Sequence, residues 1–293
     1  MTTAPGSSDN FCYRHPGRQS YILCQRCGRT VCPECSVQAA VGVHCVECAA
    51  RDRREAPKVK RGRPAFLRNL TGAEAPVVTY SIIALCFVVF VLQSLPVIGG
   101  TVTSALQFAP LYVMPLPGVP FEPWRMITAA FVHGGIFHVI LNMYTLFIFG
   151  SMLERSLGRL RYIALYLISG FGGSVAVLLL DSPTQAVVGA SGAIFGLMGA
   201  FFVINRYLGG SSVQLVVLLG INLVYGFVVP GISWQAHVGG LVVGALVALV
   251  YVRTRAIRKK RQQIVLVSTV AVALIAVTAA AAVLIPAINP ALT

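Results

Sequence analysis

The feature that most restricts the fold is a series of seven long apolar stretches that begins after residue 76. They cover residues 77–97, 136–153, 162–180, 188–207, 213–229, 233–252 and 264–285, and we number them spans 1 to 7. Each span has close to the ~20 residues that an α-helix needs to cross ~30 Å of hydrocarbon. In lipid the backbone must satisfy its own polar groups, which favours helices. The sequence therefore predicts an all-α, polytopic membrane protein.

The composition agrees with this class and argues against nucleic-acid binding. Hydrophobic residues make up 56% of the chain and charged residues 11%, with a net charge of +14. The basic residues cluster beside the apolar spans, where such clusters set topology and contact anionic lipid. We therefore expect the lipid bilayer as a partner and no nucleic acid.

The basic clusters also predict an orientation. Residues 51–68 precede span 1, and further arginines follow spans 2, 4 and 6, so the positive-inside rule places those segments in the cytoplasm. With this topology, 22 of the 23 Lys and Arg residues are cytoplasmic, and Arg125 alone lies outside. We expect a multi-pass protein of the cell membrane with a cytoplasmic N-terminus and an external C-terminus. The long outer loop between spans 1 and 2 is expected to be ordered and functional.

The N-terminal region contains four closely spaced ligand pairs. Seven of the eight cysteines precede residue 50, and the pairs are Cys12 with His15, Cys24 with Cys27, Cys32 with Cys35, and Cys45 with Cys48. Two ligands on one short turn can meet a single tetrahedral zinc ion, so eight ligands suit about two structural zinc ions. The alternative is a disulfide framework, which a reducing cytoplasm disfavours.

The spacing of these pairs resembles that of the B-box type of zinc finger, although that family usually ends in histidines. The resemblance implies that the first and third pairs share one ion and that the second and fourth share the other. It also leaves His44 as an alternative to Cys45 as a ligand. We expect such a domain to contact a cytoplasmic protein partner.

Polar residues of spans 2, 4 and 6 are expected to converge near the outer face. His138 and Asn142 lie four residues apart on one face of span 2, Ser191 lies near the start of span 4, and His237 lies about one turn into span 6. Ionisable residues inside the membrane are costly and usually functional. Gly192 with Gly196, and Gly240 with Gly244, form small-x3-small patterns that favour close approach of spans 4 and 6.

The ordered motifs resemble the rhomboid family of intramembrane serine proteases. They are Trp124-Arg125, His133, His138-x3-Asn142, Gly189-x-Ser191-Gly192 and His237-x2-Gly240-x3-Gly244. The resemblance implies a six-helix core over residues 77–252. It also implies a serine-type endopeptidase whose substrates are transmembrane protein helices, cut near the outer face.

The same resemblance implies residue roles. Ser191 would be the nucleophile and His237 the general base, with no catalytic carboxylate. His138, Asn142 and the backbone N–H of Ser191 would form the oxyanion hole. Phe195 stands where many relatives have tyrosine, so a ring can still stack on His237 but no phenol is present.

The sequence also allows two other functions. One is a catalytically silent rhomboid-like protein that binds clients, although such relatives usually lose the serine or the histidine. The other is a transporter that uses buried histidines as a proton relay. We expect a zinc-binding domain over 1–50, a basic linker over 51–76, the core over 77–252, and a basic loop with a seventh transmembrane helix over 253–293.

Overall fold

The computed structural model describes residues 10–39, 41–55, 75–228 and 231–288. The chain divides into two compact units, Met1–Ala65 and Phe66–Thr293, and each is considered by itself. Most of the predicted basic linker, residues 56–74, lies outside the described residues. The same holds for residue 229 of span 5 and for residues 289–293.

The smaller unit is built from two short hairpins and one helix. Strand β1 (Phe11–Cys12) pairs antiparallel with β2 (His15–Gln19), β3 (Ser36–Gln38) pairs antiparallel with β4 (Val43–Cys45), and α1 (Val46–Glu55) follows. Its buried core consists of six of the cysteines and Val31. So small an apolar core cannot stabilise a domain of this length without a metal or a covalent link.

The larger unit is helical. Its helices are α2 (Val77–Gln93), α3 (Gly99–Leu106), α4 (Arg125–Thr128), α5 (Ile136–Leu157), α6 (Arg159–Leu180), α7 (Ser191–Tyr207), α8 (Val213–Val228), α9 (Trp234–Arg253) and α10 (Lys260–Ile288). The predicted fold class, a polytopic helical membrane protein with a small N-terminal domain, is confirmed.

Several of these helices suit a membrane. The segments Ile136–Leu157, Arg159–Leu180, Trp234–Arg253 and Ile257–Ile288 are long and apolar enough to cross one, and α2 and α8 are shorter apolar helices. Helix α7 is also short, at 17 residues, and its first half is buried. Span 4 was predicted to begin at residue 188, but the helix begins at Ser191, because a turn at Gly189, with φ +119°, precedes it.

Glycines allow α7 and α9 to touch along their backbones. A Cβ at Gly240 would overlap the carbonyl oxygen of Gly192, and one at Gly244 would overlap the carbonyl oxygen of Gly196. The small-x3-small patterns therefore mark a pair of helices whose backbones lie in contact, as small residues permit in membrane proteins.

The loop between spans 1 and 2 is ordered around a buried arginine. The Arg125 guanidinium donates to Glu122 over 2.5 Å and to the carbonyl oxygen of Gln107 over 3.1 Å, and it lies over the Tyr112 ring at 4.0 Å. Arg125 is buried, whereas the neighbouring Trp124 is 54% exposed. The arginine of the Trp-Arg motif thus fixes the loop from inside.

A buried carboxylate from α5 caps the N-terminus of α2. Pro76, the residue before α2, offers no side-chain cap, so the first backbone N–H groups of the helix need other acceptors. Glu154 near the end of α5 accepts from the backbone N–H groups of Val78 over 2.9 Å and Thr79 over 2.8 Å. It also accepts from the Thr79 hydroxyl over 2.8 Å. This carboxylate fastens α2 to α5 where the helix dipole favours negative charge.

We expect Glu154→Gln to destabilise the membrane unit by about 2–4 kcal/mol, because the amide NH2 would oppose buried N–H donors. Thr79→Val removes only the hydroxyl donor and should cost less, about 1 kcal/mol. Denaturation in detergent would measure both. Equal stability of Glu154→Gln and wild type would contradict this role.

Candidate functional site

The polar residues that the sequence predicts to converge line one cavity of about 840 Å³. Its lining includes Ser191 from α7, His237 from α9, and His138 and Asn142 from α5. The predicted convergence of three helices is therefore present in the described part of the chain. Within that lining no residue is Asp, Glu, Lys or Arg.

Ser191 is the first residue of α7 and follows a glycine turn. Gly189 has φ +119°, a region that L side chains rarely adopt, and its N–H donates to the carbonyl oxygen of Ala129 over 2.9 Å. A Cβ on Gly189 would lie 2.7 Å from His138 Nε2. A residue with a side chain would thus strain the turn and collide with the imidazole.

His237 is held with one ring nitrogen enclosed and the other open. Its ring stacks on Phe195 with centroids 4.1 Å apart and planes 8° apart. Nδ1 faces Gly226 of α8, where a Cβ would lie 3.4 Å away, and it has no hydrogen-bond partner among the described residues. Nε2 is not among the enclosed atoms, so it is the ring nitrogen accessible from the cavity.

The serine and this histidine line one cavity without a hydrogen bond between them in the part of the chain described. Catalytic hydrogen bonds are often long or poorly aligned in free enzymes and tighten when substrate binds. The stack with Phe195, one turn after Ser191, limits how far the imidazole can tilt.

The hydrogen bonds of His138 fix its tautomer. Its Nδ1 accepts from the backbone N–H of Gly134 over 3.3 Å, so the ring proton lies on Nε2, the nitrogen beside Gly189. Asn142 Nδ2 donates one hydrogen to the carbonyl oxygen of His138 over 2.8 Å and keeps a second. Both side chains thus offer N–H donors to the cavity near Ser191.

The N-terminus of α7 adds a third donor. Ala190, which precedes the helix, has no side chain able to cap it, so the first backbone N–H groups have no internal acceptor. The N–H of Ser191 is one of these, and the helix dipole favours negative charge at this end.

His133 supports the same region from the loop before α5. Its ring meets the His138 ring edge to face at 5.2 Å, and both of its nitrogens are buried without a partner among the described residues. The Gln93 amide accepts from the His133 N–H over 3.1 Å and donates to its carbonyl oxygen over 3.3 Å. Sequence analysis missed Gln93, because nothing local links the end of α2 to this loop.

The cavity also extends beyond the predicted residues. Thr145 of α5, Met198 of α7 and Asn222 of α8 line it as well. A sequence signal existed for Asn222, which is a carboxamide inside a long apolar run and therefore costly in lipid.

In the smaller unit the ligand pairs form two tetrads. One contains Cys12, His15, Cys32 and Cys35, the other contains Cys24, Cys27, Cys45 and Cys48, and the ligand atoms of each lie within 4.8 Å of one another. The first ligand pair thus lies with the third, and the second lies with the fourth, as the B-box resemblance implies. Four S and N atoms at this separation suit a tetrahedral ion. His44 lies outside both tetrads, because its Nδ1 meets Asp52 Oδ2 at 2.8 Å.

The positive charge of Arg29 lies beside the four-thiol tetrad. Arg29 donates from Nε to Cys27 Sγ over 3.3 Å, and this contact lowers the pKa of the Cys27 thiol to about 6. The same guanidinium reaches Glu47 Oε2 over 2.6 Å, which holds it in place. A lowered pKa favours the thiolate, the form that binds metals.

Comparison with known proteins agrees with the motifs. A family model described as "Rhomboid domain" matches residues 120–254. The chain is 42% identical over 137 residues to RHOMBOID-like protein 4 of Arabidopsis thaliana, a match that covers 44% of this chain and 34% of that protein. It is 37% identical over 132 residues to Rhomboid protease GluP of Bacillus subtilis (strain 168), covering 43% of this chain and 26% of that protein.

A further relative is covered over most of its length. The Putative rhomboid protease YdcA of Bacillus subtilis (strain 168) is 33% identical over 139 residues, which are 46% of this chain and 70% of that protein. The match spans only 34% to 44% of the length of four RHOMBOID-like proteins of Arabidopsis thaliana. Residues 120–254, which the family model matches, contain the cavity residues of α5, α7 and α9. With the match to YdcA over 70% of that protein, this places the chain in the rhomboid family.

Proposed function

We propose that this chain is a serine-type intramembrane endopeptidase with Ser191 as nucleophile and His237 as general base. The observation that carries the proposal is one cavity that contains both residues, with the open Nε2 of His237 facing it and Phe195 stacked behind. A serine hydroxyl is a weak nucleophile until a base takes its proton.

The reaction follows from these positions. Ser191 Oγ attacks the scissile carbonyl carbon while its proton passes to His237 Nε2, and the carbonyl oxygen becomes an oxyanion. Collapse of this intermediate breaks the C–N bond, and His237 gives its proton to the leaving amine. Water, activated by the same histidine, then hydrolyses the acyl-enzyme and restores Ser191.

The oxyanion would be met by three donors. These are His138 Nε2–H, the free N–H of Asn142 Nδ2 and the backbone N–H of Ser191 at the start of α7. Fixed donors in a low-dielectric site stabilise developing charge strongly, because they need no reorganisation during the reaction.

The substrate class is transmembrane protein helices, cut near the outer face of the cell membrane. This rests on family membership, on a cavity bounded by apolar helices and on the basic residues that favour a cytoplasmic N-terminus. The two tetrads are proposed to hold about two structural zinc ions in a B-box-like domain that binds a cytoplasmic protein.

A covalent probe tests the serine chemistry without knowledge of the substrate. A fluorophosphonate should form a phosphonyl adduct on Ser191, found by mass spectrometry of the labelled peptide. His237→Ala should slow this labelling, because the base is removed. A folded protein that takes no adduct at Ser191 would instead support the client-binding alternative.

Asn142→Ala should lower kcat about 10²-fold and change KM little, because the lost donor acts mainly on the oxyanion. Steady-state cleavage of a transmembrane peptide in detergent would separate the two constants. A change in KM alone would make Asn142 a substrate-binding residue instead.

A further inference from the structure

The cavity continues past the proposed catalytic groups along two stripes of side chains, one on α5 and one on α7. On α5 the stripe is His138, Asn142 and Thr145, at spacings of four and three residues. On α7 it is Ser191, Phe195 and Met198, at the same spacings. These spacings keep side chains on one helical face, and the last member of each stripe lies ~10 Å along the helix from the first.

Helix α8 contributes a further polar residue, Asn222, to the cavity lining. Leu215 and Leu219 are buried against the core, and Asn222 and Gly226 follow on the same face at helical spacing. Gly226 is the residue that His237 Nδ1 faces, so Asn222 lies one turn, ~5–6 Å, inward of the catalytic histidine. Asn222 and Thr145 thus both line the cavity, each from a different helix.

Both side chains have hydrogen-bonding capacity left over. Asn222 Nδ2 donates to the carbonyl oxygen of Leu218 over 2.8 Å, which leaves its second N–H and its Oδ1. Thr145 Oγ1 donates to the carbonyl oxygen of Leu141 over 2.8 Å, which leaves its acceptor lone pairs. A polar side chain in apolar surroundings is stabilised when a polar group pairs with it. A polar residue of the substrate could form that hydrogen bond here.

The rest of the lining defines what would fit. Met198 provides a flexible apolar floor that accommodates different side-chain shapes. Because the described lining lacks Asp, Glu, Lys and Arg, nothing there would compensate a charge. The complementary group is a neutral side chain with both donor and acceptor, either a hydroxyl or a carboxamide.

We propose, on the basis of the proposed protease function, that Thr145 and Asn222 form a specificity subsite for a neutral polar residue inside the substrate's transmembrane segment. That residue lies on the inner side of the scissile bond. A separation of ~6–10 Å corresponds to two or three residues of extended chain or four to seven residues of helix. The subsite selects helices that carry Ser, Thr, Asn or Gln at such a position.

The test uses matched transmembrane peptides with one scissile region. Asn is placed singly at each of positions two to seven on the inner side, and Leu, which has nearly the same volume, replaces it in the reference peptide. Interhelical hydrogen bonds in membranes correspond to about 3- to 30-fold in an equilibrium constant. We expect kcat/KM to rise about tenfold for Asn at one or two adjacent positions.

The enzyme variants are Asn222→Leu and Thr145→Val, which remove the polar groups at nearly constant volume. Each should reduce the Asn-to-Leu ratio of kcat/KM to within about threefold of unity. Thr269→Val is the control, because Thr269 of α10 makes the same bond to a carbonyl four residues back, over 2.9 Å, and does not line the cavity. Its ratio should equal that of wild type.

The outcomes separate the two proposals. Cleavage of all peptides at equal kcat/KM, or a preference that survives both substitutions, would overturn the subsite and leave the protease function standing. If wild type cleaves none of the peptides and Ser191 takes no covalent probe, the protease function fails and the subsite fails with it.

Discussion

Ser191→Ala and His237→Ala are each expected to lower kcat for a transmembrane peptide roughly 10⁴-fold or more, with the protein still folded. The reason is that the hydroxyl and the imidazole act on one proton, so the loss of either leaves only binding and the oxyanion donors. The double variant should be no more than a few-fold slower than the single variants, because the second loss removes a group that has no remaining partner.

Ser169→Ala is a matched control. Ser169 is a fully buried serine of α6 whose hydroxyl has no partner among the described residues, and it does not line the cavity. This variant should retain wild-type kcat and denature at the same or a higher temperature. Turnover of Ser191→Ala within about tenfold of wild type would contradict the nucleophile assignment.

The metal content of the N-terminal unit should follow the two tetrads. Wild type is expected to contain about two zinc ions per chain, as measured by inductively coupled plasma mass spectrometry after gel filtration. Cys32→Ala/Cys35→Ala should lose the ion of the first tetrad, and Cys45→Ala/Cys48→Ala that of the second. Chelation of both ions should unfold this unit before the helical unit, because its apolar core is too small without metal.

Two variants provide controls for this measurement. Cys86→Ala removes the one cysteine outside the tetrads, which is buried in α2, and should leave two ions bound. His44→Ala should also keep two ions if Cys45 is the ligand, and its loss of an ion would favour His44 instead. Unchanged zinc in either paired cysteine variant, or a Cys32–Cys35 disulfide in protein from the native host, would contradict the zinc sites.

The sequence determined the class of fold because lipid leaves few choices. An apolar run of sufficient length must form a helix that satisfies its own backbone, so the described helices follow the predicted spans to within a few residues except at some ends. Where a predicted span and the observed helix end at different residues, a local contact explains the larger differences. Span 1 was predicted to reach residue 97, but α2 ends at Gln93, whose amide instead binds the backbone of His133.

The sequence also determined which groups could meet. The spacing of His138 and Asn142 puts them on one helical face whatever surrounds the helix, and the glycines of α7 and α9 permit backbone contact in any helical arrangement. Short Cys-x2-Cys pairs are likewise local, since two ligands on one turn face the same way.

Only the tertiary structure decided the details on which chemistry depends. It placed the thiol of Cys45 beside those of the other three cysteines of the second tetrad, while His44 contacts Asp52. It placed the proton of His138 on Nε2 through the Gly134 N–H, and it turned Nδ1 of His237 toward Gly226. It also brought Thr145 and Asn222 to one cavity. These contacts join residues whose relative position depends on how whole elements pack, and a periodic pattern along one helix or turn contains no information about the orientation of its neighbour.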